Sequence, residues 1–191
     1  MVKEFKAPVS VDTCKPKAAK LSLDLGASII NDISGLKDAK MRKIICEYKA
    51  GAVIMHMQGK PRTMQDDPRY KDVTAEIISF LAEAVDSAIQ DGIPAESIIV
   101  DPGIGFGKAL ENNLEILKNL REFKVLGKPI LLGVSRKSFI GRILDVEPDE
   151  RIFGTAAAVA MAVREGANIL RVHDVEKMRQ VSKICDAIIK N

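Results

Sequence analysis

Tryptophan is absent from this 191-residue sequence, and tyrosine occurs only twice. So few aromatic rings leave no platform on which nucleic-acid bases could stack. An excess of one charge is also missing: 29 lysines and arginines face 26 acids, a net of +3. That is too small for a nucleic-acid surface, and its sign only mildly favours anionic ligands. Cysteine is scarce. Cys14, Cys46 and Cys185 are widely spaced and odd in number, without paired metal spacing, which points to a reducing, cytoplasmic setting. No apolar run reaches the ~20 residues of a membrane span, and the N-terminus has no signal-peptide pattern. Low-complexity tracts and linkers are missing too. What remains is an ordinary globular composition, 47% apolar and 29% charged, long enough for one domain with a substantial core.

Short apolar runs alternate with helical patterns along the whole length. Strands are expected at residues 8–12, 28–32, 52–56, 98–101, 129–134 and 168–174. The first helix between them is capped by Thr13, carries Ala18, Ala19, Leu21 and Leu25 on one face, and stops at Gly26. Asp38 opens the next, which holds Met41, Ile44 and Ile45. A long helix places Ile77, Leu81, Val85 and Ile89 at i, i+4 spacing, and another is striped by Leu110, Leu114, Leu117 and Leu120. An alanine-rich helix covers residues 155–164, and a last one holds Val175, Met178, Val181, Ile184 and Ile188. Residues 1–7 read as the end of a helix. Regular alternation of short apolar strands with helices means parallel pairing with right-handed crossovers, an α/β fold.

One stretch organises the rest. After Ile98-Ile99-Val100 come Asp101 and Pro102, then glycines at 103, 105 and 107, then Lys108 and a leucine-patterned helix. This is a buried strand, a tight loop and a helix. Glycines let backbone N–H groups approach a ligand closely and allow unusual φ. The spacing misses the dinucleotide fingerprint, which needs its third Gly at position 108. It also misses the phosphate loop, which needs Gly in place of Pro102 and Ser or Thr in place of Ala109. A ligand loop of another kind and an ordinary βα turn with a solvated Asp both fit these residues.

Each strand ends in polar side chains: Asp12, Asn31, His56, Asp101, Lys137 shortly after Val134, and Arg171 with His173. In a parallel sheet those ends lie on one face, where barrels and open α/β sheets bind ligands. A carboxylate beside an amide suits an N–H-rich heterocycle. Lys108, Arg136, Lys137 and Arg171 suit phosphate or carboxylate. Ser138 stands at a helix start, where free N–H groups favour anions, and His173 suits phosphate binding or proton transfer. Bland readings stand beside these. Arg171 and Asp174 read equally as a surface pair worth about 0–1 kcal/mol. His56, between two methionines, reads as packed rather than metal-binding, Cys14 as a small filler, and Asp66, Asp67 and Glu83 as solvated charges.

Taken together the motifs resemble dihydropteroate synthase, the folate-biosynthesis transferase of the pterin-binding TIM-barrel family. The matching segments are Val11-Asp12-Thr13, Ile30-Asn31-Asp32-Ile33-Ser34, Met55-His56-Met57-Gln58-Gly59, residues 101–108, residues 135–141 and Arg171-Val172-His173-Asp174, in family order. The resemblance implies condensation of 6-hydroxymethyl-7,8-dihydropterin pyrophosphate with p-aminobenzoate to 7,8-dihydropteroate and pyrophosphate. It implies that Asp12, Asn31, Asp101, Lys137, Met57 and Phe106 take the pterin. Arg171 and His173 would take the pyrophosphate, and Ser138, Arg136 and Phe106 the p-aminobenzoate. Lys137, Arg171 and His173 would carry the catalysis. A non-catalytic pterin-binding fragment and a related pterin-dependent methyltransferase domain are the alternatives. The latter would not be expected to carry Ser-Arg-Lys-Ser or Arg-Val-His-Asp.

The chain also departs from the family pattern. Two earlier βα units, with an Asn-Val-Thr-Pro-Asp-Ser-Phe loop and a Ser-Thr-Arg-Pro loop, have no counterpart here. The family's Mg²⁺ is therefore expected to find no protein ligand in this chain. Residues 1–191 are expected to form a single pterin-binding domain, an incomplete parallel (β/α) barrel of six of the eight units. Its two unpaired edges are expected to favour a homo-oligomer or domain-swapped dimer.

Overall fold

A computed structural model describes residues 7–59 and 61–190. The helix end expected in the first six residues lies outside them. Six parallel strands alternate with helices: β1 Ser10–Asp12, α1 Pro16–Asp24, β2 Ile29–Asp32, α2 Ala39–Glu47, β3 Gly51–Met55, α3 Val73–Gln90, β4 Ile98–Asp101, α4 Leu110–Lys118, β5 Leu131–Leu132, α5 Ser138–Leu144, α6 Ile152–Arg164, β6 Ile169–Leu170 and α7 Val175–Lys190. The strands run side by side in chain order, β1-β2-β3-β4, then β5-β6, with a single bridge from Val100 to Ile130 joining the two groups. Among the described residues β1 pairs only with β2 and β6 only with β5, so the sheet does not close. An incomplete barrel is what is found.

Ile30, Ile54, Val100 and Leu132, one from each of four neighbouring strands, are fully buried in the core with Leu81 from α3 and Val159 from α6. Each such side chain contributes roughly 1.5–3 kcal/mol of hydrophobic stabilisation.

β5 and β6 are shorter than the apolar runs suggest, for local reasons. Pro129 has no N–H to give, and the Ile130 N–H goes to the Asn168 side chain rather than to a strand backbone. At the other end the His173 N–H goes to Ser135 Oγ, so the ladder stops after the Arg171 N–H to Leu132 carbonyl bond.

The first helix also differs. Pro16 occupies its first turn and Lys15 is the N-cap, while Thr13 Oγ1 accepts the Lys15 N–H in the turn before it. Ala19 and Leu23 face the core; Leu21 and Leu25 are 63% and 76% exposed. In α7, Met178 is buried while Val175, Ile184 and Ile188 are exposed. α1 and α7 follow β1 and β6, the two strands with a free edge. Leu117 and Leu120 are buried but Leu114 is exposed, and Leu120 belongs to the 3₁₀ stretch Leu120–Leu126 after α4. The alanine-rich helix begins three residues early, at Ile152. Asp38 caps α2 by accepting the Lys40 N–H, as expected. Cys14 is exposed and fills nothing.

Candidate functional site

Strand register brings the polar tips together. Asp12 pairs with Asn31, Asn31 with Val53, and Met55 with Asp101. Residues paired across parallel strands point the same way, and residues two apart share a face. Asp12, Asn31, Met55 and Asp101 therefore look into one space. A cavity of about 90 Å³ lies there, lined by these four, by Ile33, Gly103, Ile104, Phe106 and Gly133, and by Lys137 and Arg171. A larger hollow of about 570 Å³ lies between α4, α5 and α6. Helix side chains such as Leu114, Phe139, Ile143 and Met161 line it. Strand-end chemistry belongs to the smaller cavity.

The glycine loop is held there by backbone contact. Gly103 has φ +72°, and a Cβ on it would run into the His56 carbonyl. A Cβ on Gly107 would meet the Gln58 carbonyl in the same way. The loops after β3 and β4 thus touch main chain to main chain, which no other residue type permits. Gly105 N–H donates to Asn113 Oδ1 (2.6 Å), and Tyr70 Oη to the Gly107 carbonyl (2.7 Å).

Asp101 is 6% exposed and accepts the Gly103 N–H at 2.7 Å. Burial pushes its carboxyl up to about 6, against the Gly103 hydrogen bond and the charges of Lys137, Lys108 and Arg171. Burial also lowers Lys137, opposed by Asp101 and assisted by Arg171. The Lys137 ammonium sits 4.2 Å from the Phe106 ring centroid, a cation–π contact. Asn31 donates to Asp12 Oδ1 at 2.9 Å, while its own Oδ1 is buried and has no hydrogen-bond partner among the described residues. Buried polar atoms are rarely left so, and the cavity that Asn31 lines is where a donor could reach it. Arg171 reaches Asp12 Oδ2 at 2.7 Å.

The segment before α5 is strained. Arg136 has φ +56°, an uncommon conformation for a residue with a side chain. α6 and its cap hold it: Thr155 Oγ1 accepts the Arg136 N–H (3.1 Å), and Arg151 donates to the Arg136 carbonyl (3.0 Å). The Arg136 guanidinium itself is taken up by Asp174 and Asp149. So Asp174 pairs with Arg136, and Arg171 with Asp12, not with each other.

Of the residues the sequence singled out, Asp12, Asn31, Asp101, Phe106, Lys137 and Arg171 line the one cavity. Met57 does not; Met55 does. His173 is exposed, its Nδ1 2.9 Å from Ser135 Oγ. Ser138 is exposed at the first turn of α5 and lines a separate surface hollow with Gly141, Arg142 and Asp145. Lys108 is buried against His56, away from the cavity, and His56 is packed, edge-on to Phe80 at 5.0 Å. Ile33, Met55, Ile104 and Gly133 were not singled out. Two-residue alternation from Asn31 reaches Ile33, but Met55 needs the β3–β4 register.

Residues 1–173 match the pterin binding enzyme family. The chain belongs to that family. Among curated members it is similar to the dihydropteroate synthase of Synechocystis sp., 44% identical over 187 residues, covering 97% of this chain and 65% of the relative. It is 40% identical to that of Escherichia coli over 189 residues, covering 99% and 67%. This family member thus spans about two thirds of the length of these relatives. Its structure superposes on a Yersinia pestis dihydropteroate synthase solved with a sulfonamide drug, TM-score 0.97, 34% identity, covering 100% of this chain and 70% of that one. It also superposes on the Thermus thermophilus enzyme in complex with 6HMPPP, TM-score 0.94, 42% identity, covering 98% and 75%. Among the described residues no helix is long and apolar enough to cross a membrane.

Proposed function

We propose that this chain binds the pterin pyrophosphate of a dihydropteroate synthase and carries most of that enzyme's catalytic surface. The observation behind this is the convergence of Asp12, Asn31, Asp101, Lys137 and Arg171 on one cavity. Asp101 and the free Asn31 oxygen would accept the N–H donors of the pterin ring, with Asp12 beside them. Phe106 would lie against its face, Lys137 would donate to a ring acceptor, and Met57 would border the site from the loop after β3. The cavity is smaller than the ~300 Å³ of an ordinary ligand pocket. Swinging Arg171 off Asp12 and Lys137 off the Phe106 face would enlarge it.

In the reaction the pterin CH₂–O bond breaks, a C–N bond forms to p-aminobenzoate, and the amine loses a proton. Negative charge grows on the departing pyrophosphate, so fixed cations there favour the transition state over the ground state. Arg171 would meet that charge at the mouth, with Lys137 on its inner side and His173 as hydrogen-bond donor or proton carrier. Ser138 and Arg136 would receive the p-aminobenzoate carboxylate, with Phe106 between the two substrates. Among the described residues no group of three or more His, Cys, Asp or Glu side chains could hold a metal ion. Mg²⁺, when bound, would supply positive charge that eases pyrophosphate departure. The reading includes a cytoplasmic location and self-association along the edges where Leu21, Leu25, Ile184 and Ile188 are exposed.

A pterin titration run beside a pyrophosphate-release assay tests it. Binding with release supports the full reading, and binding without release reduces the chain to a pterin-binding domain. No binding removes the assignment. A sharp monomer peak on size exclusion would contradict the self-association.

A further inference from the structure

Beyond Arg171 the ladder between β5 and β6 gives way to side chains. The Arg171 N–H takes the Leu132 carbonyl. Two residues on, a parallel ladder would offer the Val134 carbonyl to His173, but the Lys137 N–H has it. The His173 N–H goes to Ser135 Oγ at 3.2 Å, and His173 Nδ1 lies 2.9 Å from the same oxygen. Beside them the Arg136 guanidinium donates to both Asp174 oxygens, at 3.1 and 3.2 Å. Consecutive residues after β5 thus hold consecutive residues after β6. Thr155 and Arg151 fix the Arg136 backbone in turn.

A buried serine that closes a strand end would explain the backbone bond. The ring contact goes further. A hydroxyl has one proton to give and two lone pairs to offer. The His173 N–H fills one lone pair of Ser135 Oγ. Ser135 is only 5% exposed, and among the described residues His173 Nδ1 is the one acceptor within reach of its proton. If Nδ1 carried a proton and donated it to Oγ, the buried hydroxyl proton would have no acceptor, an arrangement that folded proteins avoid. The hydroxyl therefore donates to Nδ1, and the ring proton belongs on Nε2. Among the described residues no hydrogen bond claims Nε2, and the His173 side chain is exposed.

We propose that Ser135 is a positioning residue: its one hydroxyl grips His173 at the backbone N–H and at Nδ1, so that the ring is held with Nε2–H outward as a hydrogen-bond donor to the pyrophosphate. The inference rests on the function proposed above, and it decides between the two roles left to His173 there. A ring whose Nδ1 is already taken, and whose proton sits on the outward nitrogen, is set to donate to a phosphate oxygen. Arg171, two residues earlier, brings its charge to the same substrate from the cavity wall. Ser135 itself touches no substrate in this scheme and acts through His173 alone.

The test joins a spectrum to a binding cycle. The full 191-residue chain has only two histidines, so long-range ¹H–¹⁵N spectra resolve the His173 ring, assigned with a His173→Ala chain. At about pH 8, where an ordinary histidine is neutral, the unsubstituted chain should show the proton on Nε2 and a hydrogen-bonded Nδ1. Ser135→Ala should give a mixture of the two tautomers, and a folded Ser135→Thr chain should keep the single one. Ser135→Ala should also weaken inorganic pyrophosphate binding about fivefold, the ordinary effect of one hydrogen bond. In a His173→Ala background the same change should cost less than about twofold, because the two residues act as one. A proton on Nδ1 in the unsubstituted chain overturns the proposal, even if Ser135→Ala fails to fold. So do a folded Ser135→Ala chain with an unmixed ring, and losses in affinity that simply add. The expected tautomer in a chain that never binds pyrophosphate sinks the functional reading and leaves the grip of Ser135 on the ring standing.

Discussion

The Lys137 ammonium lies over the face of the Phe106 ring, 4.2 Å from its centroid, and both side chains line the cavity that Asp101 also lines. Such a contact is worth roughly 0.5–2 kcal/mol, and burial already disfavours the charge on Lys137. Lys137→Met keeps the stem and removes the charge. Thermal stability should change little or rise slightly, while pterin affinity falls at least tenfold, about 1.4 kcal/mol. Parallel melts and fluorescence titrations check both halves.

Asp101 gives the pH dependence. Its folded value is pushed up to about 6, against roughly 3.9 in an unfolded chain. The folded state therefore holds the proton more tightly. The stability tied to Asp101 is fully present below about pH 4 and is lost as pH rises through about 6, by roughly 3 kcal/mol at most. Asp101→Asn should raise the melting temperature at pH 7.5 and leave it nearly unchanged at pH 4. The same substitution should remove pterin binding, because an amide cannot accept paired N–H donors. Calorimetry at the two pH values, with pterin titrations, measures this.

Arg171 and Asp12 are 58% and 46% exposed along their side chains. An ion pair that open to water contributes about 0–1 kcal/mol. Arg171→Ala should leave the fold intact and weaken inorganic pyrophosphate binding tenfold or more, with a shallower salt dependence. Calorimetric titrations at two salt concentrations decide it, and equal affinities would take Arg171 out of the phosphate site.

Two glycines with similar positive φ should respond differently. Gly103→Ala places a Cβ against the His56 main chain at φ +72°, and should cost roughly 3 kcal/mol or more. Gly127, at φ +60° in open space, should cost only about 1 kcal/mol as alanine. Urea denaturation of both variants makes the comparison.

Much of this was legible in the residues. The α/β alternation follows from short apolar runs between amphipathic segments, and the Asp101 loop announces itself through its proline and three glycines. Other features depend on partners distant in sequence. Met55 faces the cavity because β3 pairs with β4 in a register that no local pattern encodes. Lys108 reads like the other rim cations, yet its ammonium is captured by His56, 52 residues away. Leu21 and Leu25 look like a core stripe, but α1 follows β1, a strand with a free edge among the described residues, and the small Ala19 with Leu23 turns inward instead. β5 and β6 are cut short by side-chain acceptors, Asn168 and Ser135, which substitute for backbone pairing.

The central claim is that one cavity formed by Asp12, Asn31, Asp101 and Lys137 receives a pterin ring. A crystal structure of the chain soaked with pterin tests it most directly. The account predicts ring N–H groups within hydrogen-bond distance of Asp101 and Asn31 Oδ1, with Lys137 moved off Phe106 to contact the ring. A ring found in the apolar hollow between α4 and α6, with those four side chains unchanged, would contradict it.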